Sequence, residues 1–592
     1  MAALVPFSEA LRLAVGDALD ALSSAGGHHE LGFSSFEAYA RERCERTGRW
    51  AADTRALARR LRGLPRTREE LESGNIGWST AELLARHVTP ESECEWLEKA
   101  RRATVRELRA LLAVGAERAD EVEDEPTCTL TVTATREDGF MFEGARKVAA
   151  AVLCTDTSAE RLLQALLAEG YSTLLELVPE AERAGLYEMD GLERDLAAQA
   201  KAHANFCSLR RHWREEAEEL CETRVASLPE FELREVDEVT RAALVEGHEA
   251  LDREIRRLCA ELSERDLALG IVAESARKTE VWRRLGFASE AQYARERVGV
   301  SLSSLKAKRI LAARAGRVPE LASALASGRV GYEAAYLLSR VVTRETVEEW
   351  LGRAERRTVK HLREEVEAAE LLVRMGQARD QRPLDEGCLG ELFELERSIV
   401  SGDLLEGRAV DAQAGDCANA RGRAGQMSGT VRVRGGVRSF GRVTMRWCVT
   451  EKTQRFFRAL ERVFARVRTR VCRGSVSFLR FLCENFCRIW LPVLRRERLT
   501  ENGEEPEYFG VYGRDAFRCT SPVCTRRDVT PHHLVFRSRG GGDEDENVAS
   551  LCVWCHLHGV HEGRIVAEPP ASRIRWRIGR SGTLTVEGRK RC

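Results

Sequence analysis

Residues 518–562 read RCTSPVCTRRDVTPHHLVFRSRGGGDEDENVASLCVWCHLHGVHE. Two cysteine pairs, Cys519/Cys524 and Cys552/Cys555, bracket a His532-His533 doublet and Asn547, and a histidine-rich run follows. Five of the chain's twelve histidines fall in this stretch. Zinc takes four thiolate or imidazole ligands in a tetrahedron, and two cysteine pairs, each on its own turn, can close one. The pair Cys552-Val-Trp-Cys555 has the knuckle spacing that lets two sulfurs reach one ion. The pair Cys519/Cys524 is two residues longer than the common form, and Pro522 points to a bent loop that still converges. All four cysteines are therefore expected to hold a structural Zn2+, which would stabilise a small domain that lacks a large core.

Between the pairs, residues 528–536 have the composition of a strand, with Val529, Leu534 and Val535. A turn-rich loop follows, then a short second strand, VASLC, and a helix from Val553 onward. This order points His532 and His533 from a strand at His556 on the helix. A hydrolytic metal site needs such convergence, with ligands on rigid elements and one coordination position left open. The doublet His28-His29 has no cysteine or Asn nearby and reads as a loop.

Basic residues frame the stretch. Arg514, Arg518, Arg526, Arg527, Arg537 and Arg539 lie in or beside it, and the tail RIRWRIGRSGTLTVEGRKRC reads as a hairpin with Arg573, Arg575 and Arg577 on one face. Upstream, residues 430–498 carry seventeen Arg and one Lys against four Glu, a surplus of fourteen positive charges that attracts polyanions. On a helix predicted over 454–470, Arg455, Arg458, Arg462 and Arg466 share one face, while Phe456, Leu460, Val463 and Val467 share another. That face is either a phosphate-contacting surface or a solvated one covering a core. Arg makes up 84 of the 93 basic residues, which lowers the weight of any single one.

The first two-thirds of the chain holds an internal repeat. Residues 31–109 align without a gap to residues 285–363 at a constant offset of 254, with 34 of 79 positions identical. LGFSSFEAYARER becomes LGFASEAQYARER, and WLEKARRATVRELR becomes WLGRAERRTVKHLR. Each copy reads as short helices: Pro65 and Pro319 interrupt one, and Gly74 and Gly328 stop another. The spacing is far too long for a solenoid, so this is a duplicated domain. An acidic linker (residues 119–126) and a Gly-rich segment (402–436) follow the first and second copies respectively. After each linker come an alternating stretch and an apolar helix. Thr135 matches Thr450 and Phe142 matches Phe457, so each module is expected to run helical repeat, strand, helix.

The pattern C…C…HH…GG…N…LC-x-x-CH…H resembles the HNH (His-Asn-His) endonucleases, whose fold is a ββα-metal finger. The resemblance implies that His533 is the general base that activates water. It also implies that His532 and His556 ligate a catalytic divalent metal (Mg2+, Mn2+ or Zn2+), and that Asn547 fixes the loop or the base. His561 matches the last histidine, although the step from His556 is five residues where the family often has four; His558 is the alternative third ligand. The repeats are similar to a helical domain of unknown function that often precedes such nucleases in bacterial proteins.

With 592 residues, 43% apolar and 32% charged, the chain has material for several cores. No run of eighteen apolar residues occurs, so no membrane span is expected. The N-terminal stretch carries Glu9, Asp17 and Asp20 and reads as an amphipathic helix, not a signal peptide. Many of the eighteen cysteines sit singly in helical stretches, which fits a reduced, cytoplasmic setting. The expected architecture is a mainly α multidomain chain: helical modules over 1–240 and 241–500, each with a small β element, then a zinc-stabilised ββα-metal domain over 508–592. The expected partner is DNA, with self-association through the repeats as a further role. The rival expectation is a catalytically inactive zinc-ribbon protein that binds DNA or mediates interaction.

Overall fold

The computed structural model describes residues 4–113, 127–152, 158–177, 247–374, 381–401, 442–471, 477–500 and 503–588. The expected acidic linker and Gly-rich segment lie outside them. The fold is mainly helical with small sheets, and among the described residues no helix is long and apolar enough to cross a membrane.

The chain forms two compact units, and both copies of the duplication contribute to each. One unit takes Met1–Asp124 with Asp190–Leu362, and the other takes Glu125–Met189 with Arg363–Cys592. The divisions expected near residues 240 and 500 follow chain order; the compact units follow the pairing of like elements.

In the first unit the duplication is visible helix by helix. Gly48–Leu61 and Leu302–Ala315 correspond at the offset of 254, as do Pro65–Glu72 and Pro319–Ala326, whose prolines sit in the first turn. Helices Leu4–Ser24 and His248–Lys278 pack on each other, and each also packs on its own copy's Gly48–Leu61 or Leu302–Ala315. Gly16 and the equivalent Gly270 permit this: a Cβ at either would collide with the carbonyl of Thr54 or Lys308. The doublet expected in a loop lies in a short helix, Gly27–Glu30, with His28 buried. The burial of His28 lowers its pKa to about 4.

Reciprocal polar contacts join the copies. The Glu42 carboxylate accepts from the Val359 and Lys360 amides at 2.7 and 3.0 Å. The equivalent Glu296 accepts from the Val105 amide at 2.6 Å. Each carboxylate thus caps the helix start of the other copy, where unpaired N–H groups and the helix dipole favour an anion. Glu45 caps the other copy's Gly331 and Ala334 amides in the same way. Its counterpart is Gly299, and there Glu9 of the first copy accepts from the Trp78 amide instead, at 2.9 Å.

The second unit is built around a two-stranded antiparallel sheet. Strand β1 (Thr127–Thr135) comes from the first copy and β2 (Arg442–Thr450) from the second. Thr135 and Thr450 end their strands as matched, which sets an offset of 315 residues. At that offset Thr131 and Arg446 are equivalent, and they face each other in the register. Helices Arg136–Val152 and Ala159–Leu177 follow β1, and Glu451–Val471 and Phe478–Arg498 follow β2. Ser158 and Ser477 cap the second helix of each pair. The core between them includes Leu130, Phe142, Trp447, Phe457, Phe464 and Phe481.

The arginine-rich helix differs in detail from its expected faces. Leu460 and Val467 are buried as expected, but the core aromatics are Phe457 and Phe464. Phe456 is 37% exposed, because one residue of rotation carries it off the apolar stripe. Arg455 pairs with Glu451, and Arg458 with Glu461 and the Thr131 carbonyl.

The end of the chain, in the same unit, supplies the candidate site. Strand β3 (Val529–His533) pairs antiparallel with β4 (Val548–Cys552), placing His532 opposite Ala549 and His533 opposite Val548. A π-helix, Trp554–His561, follows β4. A three-stranded sheet of Ile565–Glu568, Arg575–Ile578 and Leu584–Glu587 completes the region, so the expected hairpin gains a further strand. Within it Trp576 and Ile578 are buried, while Arg577 pairs with Glu568 and Arg573 with Glu386 and Glu587.

Candidate metal centres

The four cysteines converge. The sulfurs of Cys519, Cys524, Cys552 and Cys555 all lie within 4.8 Å of one another, and all four residues are buried. Cys524 Sγ and Cys552 Sγ are 3.8 Å apart, close to the tetrahedron edge that zinc–sulfur bonds of about 2.3 Å generate. The Cys555 amide donates to Cys552 Sγ at 3.4 Å, an arrangement that favours a thiolate there.

Backbone bonds bring the two turns together. The Cys519 amide donates to the Arg526 carbonyl, and the Thr520 amide to Ser550 of β4, both at 2.9 Å. Buried Asp515 accepts from the Ser550 amide at 2.8 Å. Burial and the neighbouring sulfurs push the Cys519 thiol well above its ordinary range. The same sulfurs, then burial, push up Cys555. Four buried sulfurs at this spacing form a donor set that suits a metal ion and is compatible with structural zinc. Arg518, next to Cys519, pairs with Glu364 at 3.1 Å and lies near Glu396. Burial opposes ionisation of Glu396, but Arg518, Lys147 and Arg527 hold its pKa down to about 2.

A second cluster is made of imidazoles. Ring nitrogens of His532, His556 and His561 lie within 4.8 Å of one another. The ring centroids of His556 and His561 are 5.0 Å apart, and those of His532 and His556 4.9 Å. The π-helix explains the five-residue step. An α-helix aligns residues four apart, whereas i→i+5 bonding widens the turn and brings His556 and His561 to one side. His558 falls elsewhere, with Nδ1 on Glu562 at 2.8 Å.

His532 is 1% exposed, and among the described residues neither ring nitrogen has a hydrogen-bond partner. Burial, then the neighbouring His556 and His561 rings, push its pKa down to about 3. A buried imidazole with two unsatisfied nitrogens is costly, and coordination of a cation would relieve one of them. His556 has its tautomer set by its neighbour. The Thr530 hydroxyl lies 3.1 Å from the Leu551 carbonyl, to which it donates, and 2.9 Å from His556 Nδ1, from which it accepts when its proton is on that carbonyl. Nδ1 then carries the proton and Nε2 keeps its lone pair, as a ligand requires. The His561 ring stacks on Phe536 at 5.3 Å between centroids. These residues fit a divalent cation.

His533, the next residue of the strand, contacts the loop. Its Nε2 lies 2.7 Å from Asp543 Oδ1, and the same oxygen accepts from Arg537 and from the Tyr508 hydroxyl. Asn547 ties the loop to the strand: its Oδ1 accepts from the Val535 amide at 2.8 Å, and its Nδ2 donates to the carbonyls of Val535 and Gly542. Of the two roles considered for Asn547, loop fixation is the one its bonds serve. Thr530, Phe536, Asp543 and Tyr508 were not singled out in the sequence. Asp543 sits in the run DEDE, whose acids look alike, and Tyr508 lies outside the cysteine-bounded stretch.

Compared with known protein families, curated proteins and solved structures, the chain matches none.

Proposed function

We propose that the chain is a metal-dependent endonuclease of the HNH kind that hydrolyses DNA phosphodiester bonds. The observation that supports this most is the convergence of His532, His556 and His561 on one point, with His533 next along the same strand. His532, His556 and His561 would hold the divalent cation, which when bound supplies positive charge to stabilise the phosphate and the leaving oxygen. His533 takes a proton from the attacking water, a task for which an imidazole is suited near neutral pH. Asn547 holds the loop that faces His533, and the four cysteines hold the fold with structural zinc. The exposed Arg462 and Arg466 belong to the helix that carries the positive surplus and fit phosphate contacts, so binding should weaken with salt.

Plasmid nicking with Mg2+ or Mn2+ tests the reading. The full chain should nick and His533→Ala should lose at least about 100-fold in rate. Binding of DNA without cleavage under any divalent metal would instead favour an inactive zinc-ribbon binder. Cleavage by His533→Ala at the parent rate would remove His533 as the base.

A further inference from the structure

Asp543 gathers several donors on one oxygen. Its Oδ1 lies 2.7 Å from His533 Nε2, 2.6 Å from the Arg537 terminal nitrogen, 3.1 Å from Arg537 Nε and 3.0 Å from the Tyr508 hydroxyl. Arg537 in turn donates to Tyr508 Oη at 2.7 Å. The loop that delivers this oxygen is fixed on its N-terminal side. A Cβ at Gly541 would collide with the Val535 carbonyl, and Asn547 Nδ2 holds the Gly542 carbonyl at 2.8 Å. Tyr508 faces the His533 ring edge-on from a left-handed backbone (φ 65°) that a non-glycine residue rarely adopts.

We infer that Asp543 is a positioning residue for His533: it fixes the proton on Nε2 and leaves the Nδ1 lone pair as the proton acceptor. A carboxylate that receives an arginine and a phenol has no proton to give. The His533–Asp543 bond therefore requires Nε2–H as donor. Its pKa, held down to about 2 first by His533, then by Arg537 and Tyr508, agrees with a permanent acceptor. Arg537 Nε lies 3.3 Å from His533 Nε2, and two N–H groups cannot share one hydrogen bond, so the shorter contact to Asp543 decides the tautomer. Arg537 and Tyr508 then act by holding the Asp543 oxygen in place. The inference rests on His533 being the base.

The test uses the full chain with 15N-labelled histidine and compares the parent with Asp543→Ala, Asp543→Glu and His533→Ala. Long-range 1H–15N spectra should show His533 protonated at Nε2 in the parent and in Asp543→Glu, and a tautomer mixture in Asp543→Ala. In nicking assays Asp543→Ala should lose about 10- to 100-fold in kcat with KM within about twofold, and Asp543→Glu should recover most of it. An unchanged tautomer with unchanged kcat in Asp543→Ala overturns the inference. So does an equal loss in Asp543→Ala and Asp543→Glu, which marks a structural role only. A fully active His533→Ala defeats the nuclease assignment of His533 instead, while the tautomer in the spectra still reports on the Asp543 contact.

Discussion

Thr530→Val replaces the hydroxyl that fixes His556 with a methyl group of nearly the same size. In the parent, Thr530 Oγ1 donates to Leu551 O and accepts from His556 Nδ1. The valine leaves Nδ1–H of a half-buried imidazole without an acceptor, at a cost of about 1–3 kcal/mol. It also frees the ring to move its proton to Nε2, the nitrogen needed for coordination. Outer-shell changes of this kind weaken metal binding by about 10- to 100-fold, which is about 1.4–2.8 kcal/mol and agrees with the lost hydrogen bond. Titration calorimetry with Mn2+ on zinc-loaded protein reads this directly. Parent and Thr530→Ser should bind within about threefold of each other, since serine keeps the hydroxyl. Equal Mn2+ affinity in Thr530→Val and parent, with zinc content unchanged, would refute the tautomer argument. No Mn2+ binding by the parent would refute the three-histidine centre itself.

Cys552→Ser should lower zinc from one per chain to none and expose the β3–β4 region to protease, as read by metal analysis and limited proteolysis; retained full zinc would count against the four-cysteine set. Gly541→Ala should push the loop off Val535 and destabilise the region by more than about 2 kcal/mol, seen as faster amide exchange in β3 with the first unit unaffected. Glu9 gives a pH effect whose sign is fixed. Burial raises its folded pKa to about 8, against the Trp78 amide and Arg12, which lower it. The unfolded chain, with a pKa near 4.5, therefore binds fewer protons than the folded one between these values. Its contribution is full below about 4.5 and is lost as pH rises through 8, by an amount of up to about 5 kcal/mol. Glu9→Gln keeps the acceptor for Trp78, so thermal unfolding should match the parent at pH 4.5 and gain several degrees at pH 8. An equal shift at both pH values would exclude ionisation as the cause.

Local pattern carried the helices of the duplication and the two cysteine turns. Proline in a first turn, glycine at a helix end and leucines at helical spacing each act within a few residues, so Pro65–Glu72 and Pro319–Ala326 are readable from either copy alone. The pairing of β1 with β2 was not readable, because their alternating threonines and apolar residues specify a strand but not its partner. The five-residue step from His556 to His561 is an irregularity only while the segment is taken as an α-helix. A π-turn depends on what surrounds it, and here Cys555 anchors one side to the sulfur cluster while Gly559 packs against Ile565. Asp543 is marked out among its acidic neighbours by the backbone collision that forces Gly541, not by its own identity.

The duplication explains why the helical modules do not act as separate bodies. Thr131 faces its own equivalent, Arg446, across the sheet, and Glu42 and Glu296 cap each other's partner helices, so like elements meet about an approximate two-fold axis in each unit. A lone copy would leave these helix starts uncapped and a strand edge unpaired, which favours joining two copies in one chain. Symmetry is broken where chemistry differs. The helix Arg136–Val152 of the first copy balances Arg146 with Glu143 and Glu367, whereas its counterpart keeps Arg462 and Arg466 exposed. Within one two-fold framework the positive surplus thus sits on the second copy's helix, and the first copy pairs with it to complete the fold.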